Sequence, residues 1–227
     1  MPENYDGMLS LLLASIEFVF ILNLLIFAEK NKVNKLTITL IVLLFTYQTV
    51  EFIICGLGYK TSLFAYIAML IVSFMPPLSL IIVLQFLNVK SKLNNLLYIP
   101  ALFFTFYYPL VIEQFEVAKC TVIYAVYNYP LGFIYGIFYY LPILTVIILL
   151  SIKNMNKNPE KEKLRKILLI GYVITFVPAF LFTRLVPGML EAVESIICTF
   201  AFILSFFLTY FVLKNRTEKE IAHEKII

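Results

Sequence analysis

The chain has 227 residues, of which 62% are hydrophobic, and it carries a formal net charge of +4 at pH 7. So much apolar sequence leaves little for a soluble domain, and one membrane domain accounts for the whole chain. The positive charge lies between apolar stretches, where it anchors a membrane protein to the cytoplasmic face. We therefore expect membrane lipids as partners and no nucleic acid.

Seven apolar stretches are each long enough to cross the ~30 Å hydrocarbon core of a bilayer. We predict an all-α membrane protein, a seven-transmembrane helix bundle over residues 1–213, with a short cytoplasmic tail over residues 214–227. The predicted spans, in chain order, are 8–28, 36–58, 62–88, 94–112, 131–152, 166–186 and 190–213.

The positive charges give the orientation of the bundle. All but three of the 18 Lys and Arg residues lie in every second gap between spans or after the last span. The exceptions are Lys60, Lys119 and Arg184. The positive-inside rule then places the N-terminus outside and the C-terminus in the cytoplasm, and we expect a bacterial cytoplasmic membrane.

Two acids lie well inside spans one and two. Glu17 and Glu51 lie roughly 15 and 10 Å below the outer ends of their helices, so that they can approach one another. A charged group at such depth costs at least ~2.5 kcal/mol, so these residues should face the interior, pair or stay protonated. Gln48 precedes Glu51 by three residues on the same helix face, which predicts a hydrogen bond between them.

Span three contains Pro76 and Pro77, which should kink it, and span four contains Pro100 and Pro109. The longest outer loop follows, over residues 113–130. Part of it, residues 120–127, alternates loosely between apolar and polar positions, which predicts a strand or short hairpin, with an irregular loop as the alternative.

Three cysteines form no metal-binding pattern. Cys55 and Cys120 both lie near the outer end of the bundle, so a disulfide between them is conceivable. Because spacing does not define connectivity, we favour the interpretation that both are small unpaired apolar side chains. Cys198, inside span seven, is interpreted as a packing residue.

Tyrosines are concentrated in the outer half, where a belt at the membrane interface explains most of them. Tyr107, Tyr108, Tyr135 and Tyr139 lie where an outward-open cavity would also need amphipathic walls, and we take Tyr107 and Tyr139 as the walls of a binding site. Arg184 lies near the outer end of span six, close in sequence to Glu191 and Glu194. These charges predict either a local ion pair at the surface or an outer-leaflet pocket for a polar head group.

Span seven carries a stripe of small and polar residues at intervals of three and four. Such a stripe on a membrane helix normally faces other helices. Its members are Glu191, Glu194, Cys198, Ala201, Ser205 and Thr209.

Several kinds of catalytic site are excluded by composition. His223 is the only histidine, which removes bis-histidine haem, histidine zinc sites and a Ser-His triad. Every Lys lies at the end of a span, so no buried amine is available for a Schiff base. We expect no catalytic residue, cofactor or metal ion, and no enzymatic activity.

Short motifs occur in a fixed order along the chain: Ser73–Leu80 and Gln85–Asn88 in span three, Tyr98–Phe103 in span four, Gly171–Pro178 in span six and Tyr210–Arg216 at the end of span seven. Together with Glu51-Phe52 and Lys163–Lys166, their order resembles the seven-helix sensor region of certain bacterial histidine kinases and diguanylate cyclases. The resemblance implies sensing of an extracytoplasmic or membrane-borne cue. Because 14 residues follow the last span, it also implies a separate cytoplasmic output protein, or a module of a longer chain.

Three functions are consistent with these features. The first is a receptor-like sensory module that binds a small or lipidic ligand near the outer leaflet and signals to a separate cytoplasmic partner. The second is a small secondary transporter with Glu17 or Glu51 as a membrane-embedded carboxylate, and the third is a structural or assembly subunit. The ligand-binding residues predicted for the first are Glu51, Arg184, Glu191, Glu194, Tyr107 and Tyr139, with Glu17 and Gln48 as intramembrane polar residues.

Overall fold

A computed structural model describes residues 6–89, 92–152, 158–185 and 192–215, and within them the chain is helical apart from one β-hairpin. Seven helical segments in these ranges are long and apolar enough to cross a membrane, which confirms the predicted helical membrane fold. The α-helices are α1 (Met8–Phe27), α2 (Lys32–Cys55), α3 (Ser62–Phe86), α4 (Ile99–Tyr107), α5 (Gly132–Ser151), α6 (Pro159–Leu185) and α7 (Val193–Lys214), and the strands are β1 (Glu116–Cys120) and β2 (Ala125–Asn128).

Two helices begin before the predicted spans because polar residues continue them past the apolar sequence. In α2 the Asn31 side chain accepts a hydrogen bond from the Asn34 N–H at 2.9 Å, which caps the helix four residues before position 36. In α6 the first turn contains Glu160 and Glu162, which interact favourably with the positive end of the helix dipole. The start at Pro159 instead of 166 extends α6 by about 10 Å.

The fourth span is not a continuous α-helix. Helix α4 has nine residues and is flanked by 3₁₀ helices at Lys92–Tyr98 and Tyr108–Gln114. Pro100 lies within the first two positions of α4, and Pro109 lies within the first two positions of the 3₁₀ helix that follows α4. A proline favours the first turn of a helix but lacks the N–H that would continue the preceding one, so each proline marks a break in this span.

Helix α2 links two halves of the bundle. On one side α3 packs against α2, α4 and α5, and on the other α7 packs against α1, α2 and α6. Most of α3 is buried within the protein, whereas α1 and α5 present broad apolar faces outward. Helix α3 continues as an α-helix through Pro76 and Pro77.

The β-hairpin covers the end of the bundle at which α1, α3, α5 and α7 begin, called here the hairpin end. Its strands are antiparallel, with Glu116 opposite Asn128 and a bulge between Val117 and Lys119. The Gly7 N–H before α1 donates to the Thr121 carbonyl at 3.2 Å. The hairpin predicted for residues 120–127 is therefore present, with β1 starting earlier, at Glu116.

A disulfide joins Cys55 at the end of α2 to Cys120 at the end of β1, with 5.5 Å between the two Cα atoms. The interpretation of these cysteines as unpaired was wrong. Packing of the hairpin onto the end of α2 brings the two residues together although they are 65 positions apart in sequence. The hairpin is thus bonded covalently to the bundle that it covers.

At the opposite end, asparagines join the start of α2 to the end of α7. The buried Asn34 amide donates to the Val212 and Asn215 carbonyls at 3.3 and 3.1 Å. The Asn215 amide donates back to Asn34 Oδ1 at 2.8 Å, and the Asn31 amide donates to the Asn215 carbonyl at 3.1 Å. This asparagine cluster couples the C-terminal end of α7 to the α1–α2 loop.

Candidate functional site

Glu51 lies under the hairpin and is satisfied by serines from two other helices. Ser10 of α1 donates to Oε1 at 3.2 Å, and Ser195 of α7 donates to Oε2 at 3.0 Å. The Ser195 hydroxyl in turn accepts from the Ala125 N–H of the hairpin at 2.9 Å. Glu51 therefore joins α1, α2, α7 and β2 in one buried hydrogen-bonded group, which favours a structural contribution at this end.

Two buried tyrosines border Glu51. Tyr47 lies one turn before it on the same face of α2, and Tyr127 comes from the hairpin. Burial raises the pKa of the Tyr127 phenol, and the neighbouring Glu51 carboxylate raises it further. Tyr127 therefore stays a neutral hydroxyl at physiological pH.

Glu194 occupies a second buried position, among tyrosines. The Tyr129 hydroxyl donates to Glu194 Oε1 at 2.5 Å. Burial raises the pKa of Tyr129, and the Glu194 carboxylate raises it further, so Tyr129 remains a donor. The rings that enclose this group touch one another at centroid distances of 5–6 Å and belong to Phe104, Tyr108, Phe115, Tyr129, Tyr135 and Tyr139.

Gln48 does not bond to Glu51 as predicted. Its amide nitrogen donates to the Cys198 carbonyl of α7 at 3.2 Å, and its Oε1 is buried without a partner. The packing of α2 against α7 instead presents the Cys198 backbone carbonyl to the Gln48 amide. The stripe on α7 faces other helices as expected, since Glu194, Cys198, Ala201 and Ser205 are all buried.

Glu17 and Glu51 are not neighbours. Ser10 is the residue of α1 that reaches Glu51, and Glu17 lies seven residues further along, about 10 Å away on the helix axis. Glu17 is fully buried, and neither carboxyl oxygen has a hydrogen-bond partner.

The remaining predicted residues lie at different depths. Tyr139 is buried in the bundle. Tyr107 is half-buried and stacks on Phe103 on the outer side of α4, whereas its neighbour Tyr108 points into the core. Arg184 is in the last turn of α6, where the structure describes only its backbone. Glu191 lies outside the described residues.

A cavity of about 30 Å³, the size of one water molecule, lies at the centre of the bundle. Its polar lining consists of Ser79, Tyr139 and Cys198. Ser79 is hydrogen-bonded to the Tyr172 hydroxyl of α6. This central cavity is far too small for an organic ligand.

A larger cleft of about 190 Å³ lies between α3, the fourth span and α5, and is called here the lateral cleft. Leu96, Phe138 and Leu141 border it and are exposed on the apolar surface, so the cleft opens sideways. Its deeper lining is formed by Ser73, Pro77, Leu97, Pro100, Ala101, Phe104, Tyr135, Tyr139 and Pro142.

Polar groups lie only at the inner wall of the lateral cleft. Ser73 donates to the Met69 carbonyl at 2.7 Å, and its hydroxyl oxygen is also hydrogen-bonded to the Tyr135 hydroxyl at 3.2 Å. Tyr139 lines both the lateral cleft and the central cavity, so its side chain separates the two spaces. The cleft can hold a hydrocarbon group, with one hydroxyl pair at its end for a single polar atom.

Sequence reasoning missed Ser10, Ser195 and the proline-lined cleft. A signal existed for the cleft: Pro77, Pro100 and Pro142 all fall inside apolar spans, and prolines remove backbone bonds that would otherwise keep neighbouring helices regular. The serines gave no such signal, since small polar residues occur throughout membrane helices.

Among the described residues, no group of three or more His, Cys, Asp or Glu side chains is arranged to hold a metal ion. Comparisons with family models, with curated proteins and with solved structures found no significant match to this chain. The site is therefore interpreted from its own geometry.

Proposed function

We propose that this protein is a receptor-like seven-helix membrane module that takes up an apolar or amphipathic molecule dissolved in the bilayer. The molecule enters through the lateral cleft, and its binding alters the packing of α3, α4 and α5. The resemblance of the sequence to seven-helix sensor regions supports the same class of function, with a separate cytoplasmic protein as the partner.

The observation that carries this proposal is the lateral cleft itself. An engineered apolar cavity of about 150 Å³ binds benzene, so about 190 Å³ accommodates a ring or a short stretch of hydrocarbon. It is smaller than the ~300–1,000 Å³ of pockets that enclose whole ligands. The cleft therefore fits one end of a longer molecule whose remainder stays among the lipids.

The hairpin end is a poor route for a water-soluble ligand. The hairpin is bonded to α2 through Cys55–Cys120, to α7 through Ser195 and to the start of α1 through Gly7. Glu51 and Glu194 beneath it already accept hydrogen bonds from the protein. This covering favours a ligand that arrives from the membrane.

The asparagine cluster offers a route for output. It holds the end of α7 to the start of α2, and α2 packs directly against α3, which lines the cleft. A shift of α3 on ligand binding is therefore transmitted to α2 and to the end of α7 through packed helices. Helix α7 ends where a cytoplasmic partner would dock in the predicted orientation.

A small transporter is the second candidate, and Glu17 is the observation that favours it. A buried carboxyl without a partner is typical of proton-coupled carriers. Transport also requires a path for the substrate, and the central cavity of about 30 Å³ is too small to provide one in this packing.

A single tryptophan tests ligand entry, because the chain contains no Trp. Phe104 is buried at the cleft, and Phe211 is buried elsewhere against Phe86. In nanodiscs of lipids with brominated acyl chains, we expect at least twofold stronger fluorescence quenching of Phe104→Trp than of Phe211→Trp. Equal quenching of the two would contradict the proposal.

A second substitution links quenching to the cleft. Ala101 lines the cleft and is buried, whereas Leu102 beside it is exposed to lipid. Ala101→Phe fills the cleft and should reduce quenching of the Phe104→Trp reporter to the level of Phe211→Trp. The matched change Leu102→Phe should leave quenching unaltered.

The proposed function also requires the hairpin end to lie outside the cell, a side on which disulfides persist. Lys60 is exposed in the α2–α3 loop at the hairpin end, and Lys30 is exposed at the opposite end. An impermeant maleimide should label Lys60→Cys in intact cells, and Lys30→Cys only after permeabilisation. Labelling in the reverse pattern would refute the orientation.

A further inference from the structure

Glu17 is a buried acid without a hydrogen-bond partner in the described part of the bundle. Its side chain has no solvent exposure, and both carboxyl oxygens lack a hydrogen-bond partner. No salt bridge to it is formed among the described residues. Neither the lateral cleft nor the central cavity includes it in its lining.

Ring contacts define the depth of Glu17. Phe18 touches Phe45 of α2 at a centroid distance of 5.8 Å, and Phe20 touches Phe206 of α7 at 4.8 Å. Glu17 therefore lies level with the middle of both helices. Because α1 packs against α2 and α7, the carboxyl is enclosed by these two neighbours in the interior of the membrane domain.

An unpartnered amide oxygen lies within one turn of the same level. Since Phe18 is level with Phe45 and α1 and α2 are antiparallel, Gln48 lies about 3 Å from the height of Glu17 along the axis. Gln48 is fully buried, its nitrogen is bound to the Cys198 carbonyl, and its Oε1 is free of partners. Glu17 is also close enough to Cys198 for an electrostatic interaction.

These atoms favour a proton as the ligand. An ionised carboxylate here would keep an uncompensated charge in apolar surroundings, at a cost of several kcal/mol. A neutral carboxylic acid removes the charge and supplies one O–H donor, and the unpartnered Gln48 Oε1 lies on the adjoining helix at a similar height. A metal ion would need several oxygen ligands and a cavity, and Glu17 lines neither the central cavity nor the lateral cleft.

We propose that Glu17 is a proton-binding site of the bundle, occupied in this packing and emptied only when α1 moves enough to admit water or a cation. This proposal goes beyond ligand uptake through the lateral cleft, from which Glu17 is separated by α2 and α7. It makes the packing of α1 dependent on proton concentration.

The sign of that dependence follows from the surroundings. The titratable groups along the membrane-embedded parts of the neighbouring helices are Tyr47 and Glu51 of α2 and Glu194, Cys198 and Tyr210 of α7. The cations of these two helices, Lys32, Lys35 and Lys214, lie in their terminal turns at the end opposite the hairpin. With no positive partner, only the protonated form fits. The packing is therefore most stable at low pH. Its equilibrium constant falls by up to tenfold per pH unit above the pH at which the exposed carboxyl of the unpacked state ionises, and the fall ends once the buried carboxyl itself ionises.

Infrared spectroscopy of the protein in nanodiscs tests occupancy directly. At neutral pH we expect the carbonyl stretch of a protonated carboxylic acid, which Glu17→Gln removes. The exposed Glu113→Gln, the same chemical change, should leave this band intact. Absence of the band from the native protein, or a band of undiminished intensity in Glu17→Gln, would overturn the proposal.

Thermal unfolding gives a readout that does not depend on band assignment. The midpoint of the native protein should fall as pH is raised, and Glu17→Gln should fold and lose most of this fall, because a neutral amide cannot ionise. Glu113→Gln should behave as the native protein. If sodium at constant ionic strength raises the midpoint of the native protein and not that of Glu17→Gln, the ligand is a metal ion and the proton site is refuted.

Discussion

Replacing Cys55 with serine is expected to lower the free energy of unfolding by about 2–5 kcal/mol, and we expect a value near the lower end of this range. The Cys55–Cys120 bond closes a loop between residues 65 positions apart that includes α3 and the fourth span. Its loss frees the hairpin and the loops, but the helices remain inserted in the bilayer, which limits the entropy gained by the unfolded state. Glu51 and its serine partners should then gain access to water.

The measurement is unfolding of purified protein in nanodiscs with and without a reductant. Reductant should destabilise the native protein to the level of Cys55→Ser and have no further effect on that variant. Cys120→Ser and the double variant should match Cys55→Ser, because all three lose the same bond. Cys198→Ser retains the disulfide and should stay sensitive to reductant, and a native protein that is indifferent to reductant would contradict the prediction.

Hydropathy was sufficient to predict the seven spans because a bilayer imposes one requirement on every crossing segment, about 20 apolar residues. The helix ends were less well predicted. Polar residues such as Glu160 and Glu162 continue α6 beyond the membrane-spanning sequence. Hydropathy does not predict where such an extension ends, because its residues are not transferred into lipid. The broken fourth span was visible only as Pro100 and Pro109.

The candidate site was less predictable, because helix rotation is not readable from composition when a helix is apolar all round. Tyr107 and Tyr108 are adjacent in sequence, so which of them faces the interior depends on the rotation of this short helical segment about its own axis. In the structure Tyr108 is the buried one. Glu51 is buried in the bundle, but its partners Ser10 and Ser195 are 41 and 144 positions away in sequence. Pairings at such distances depend on the packing of three helices.

The same limit explains the cysteines. Spacing left Cys55 and Cys120 ambiguous, since either residue is an acceptable apolar side chain at the end of a span. Their pairing depends on the hairpin folding back over α2, a tertiary arrangement that the alternating sequence of residues 120–127 indicated without giving its position. The disulfide and the hairpin were therefore predictable only together.

The second large effect is expected at Gly171, where α6 and α7 approach closely. A Cβ atom placed on Gly171 would lie 2.8 Å from both Cβ and Cγ of Phe207. The Cβ of Phe207 is fixed to the backbone of α7, so rotation of the ring gives no relief and the helices must separate. Small residues at helix contacts in membranes permit this approach. We expect Gly171→Ala to destabilise the protein by about 1–3 kcal/mol.

Gly136 in α5 provides the matched control, because a Cβ there would meet only Tyr140 at 3.5 Å, an ordinary contact. Gly136→Ala should be neutral or slightly stabilising, since alanine loses less backbone entropy in a helix. In a Phe207→Ala background the cost of Gly171→Ala should fall, because the Cγ contact is removed, but it should not vanish while the Cβ contact remains. Equal stability of the two glycine variants in denaturant titrations would show that α6 and α7 are further apart than described here.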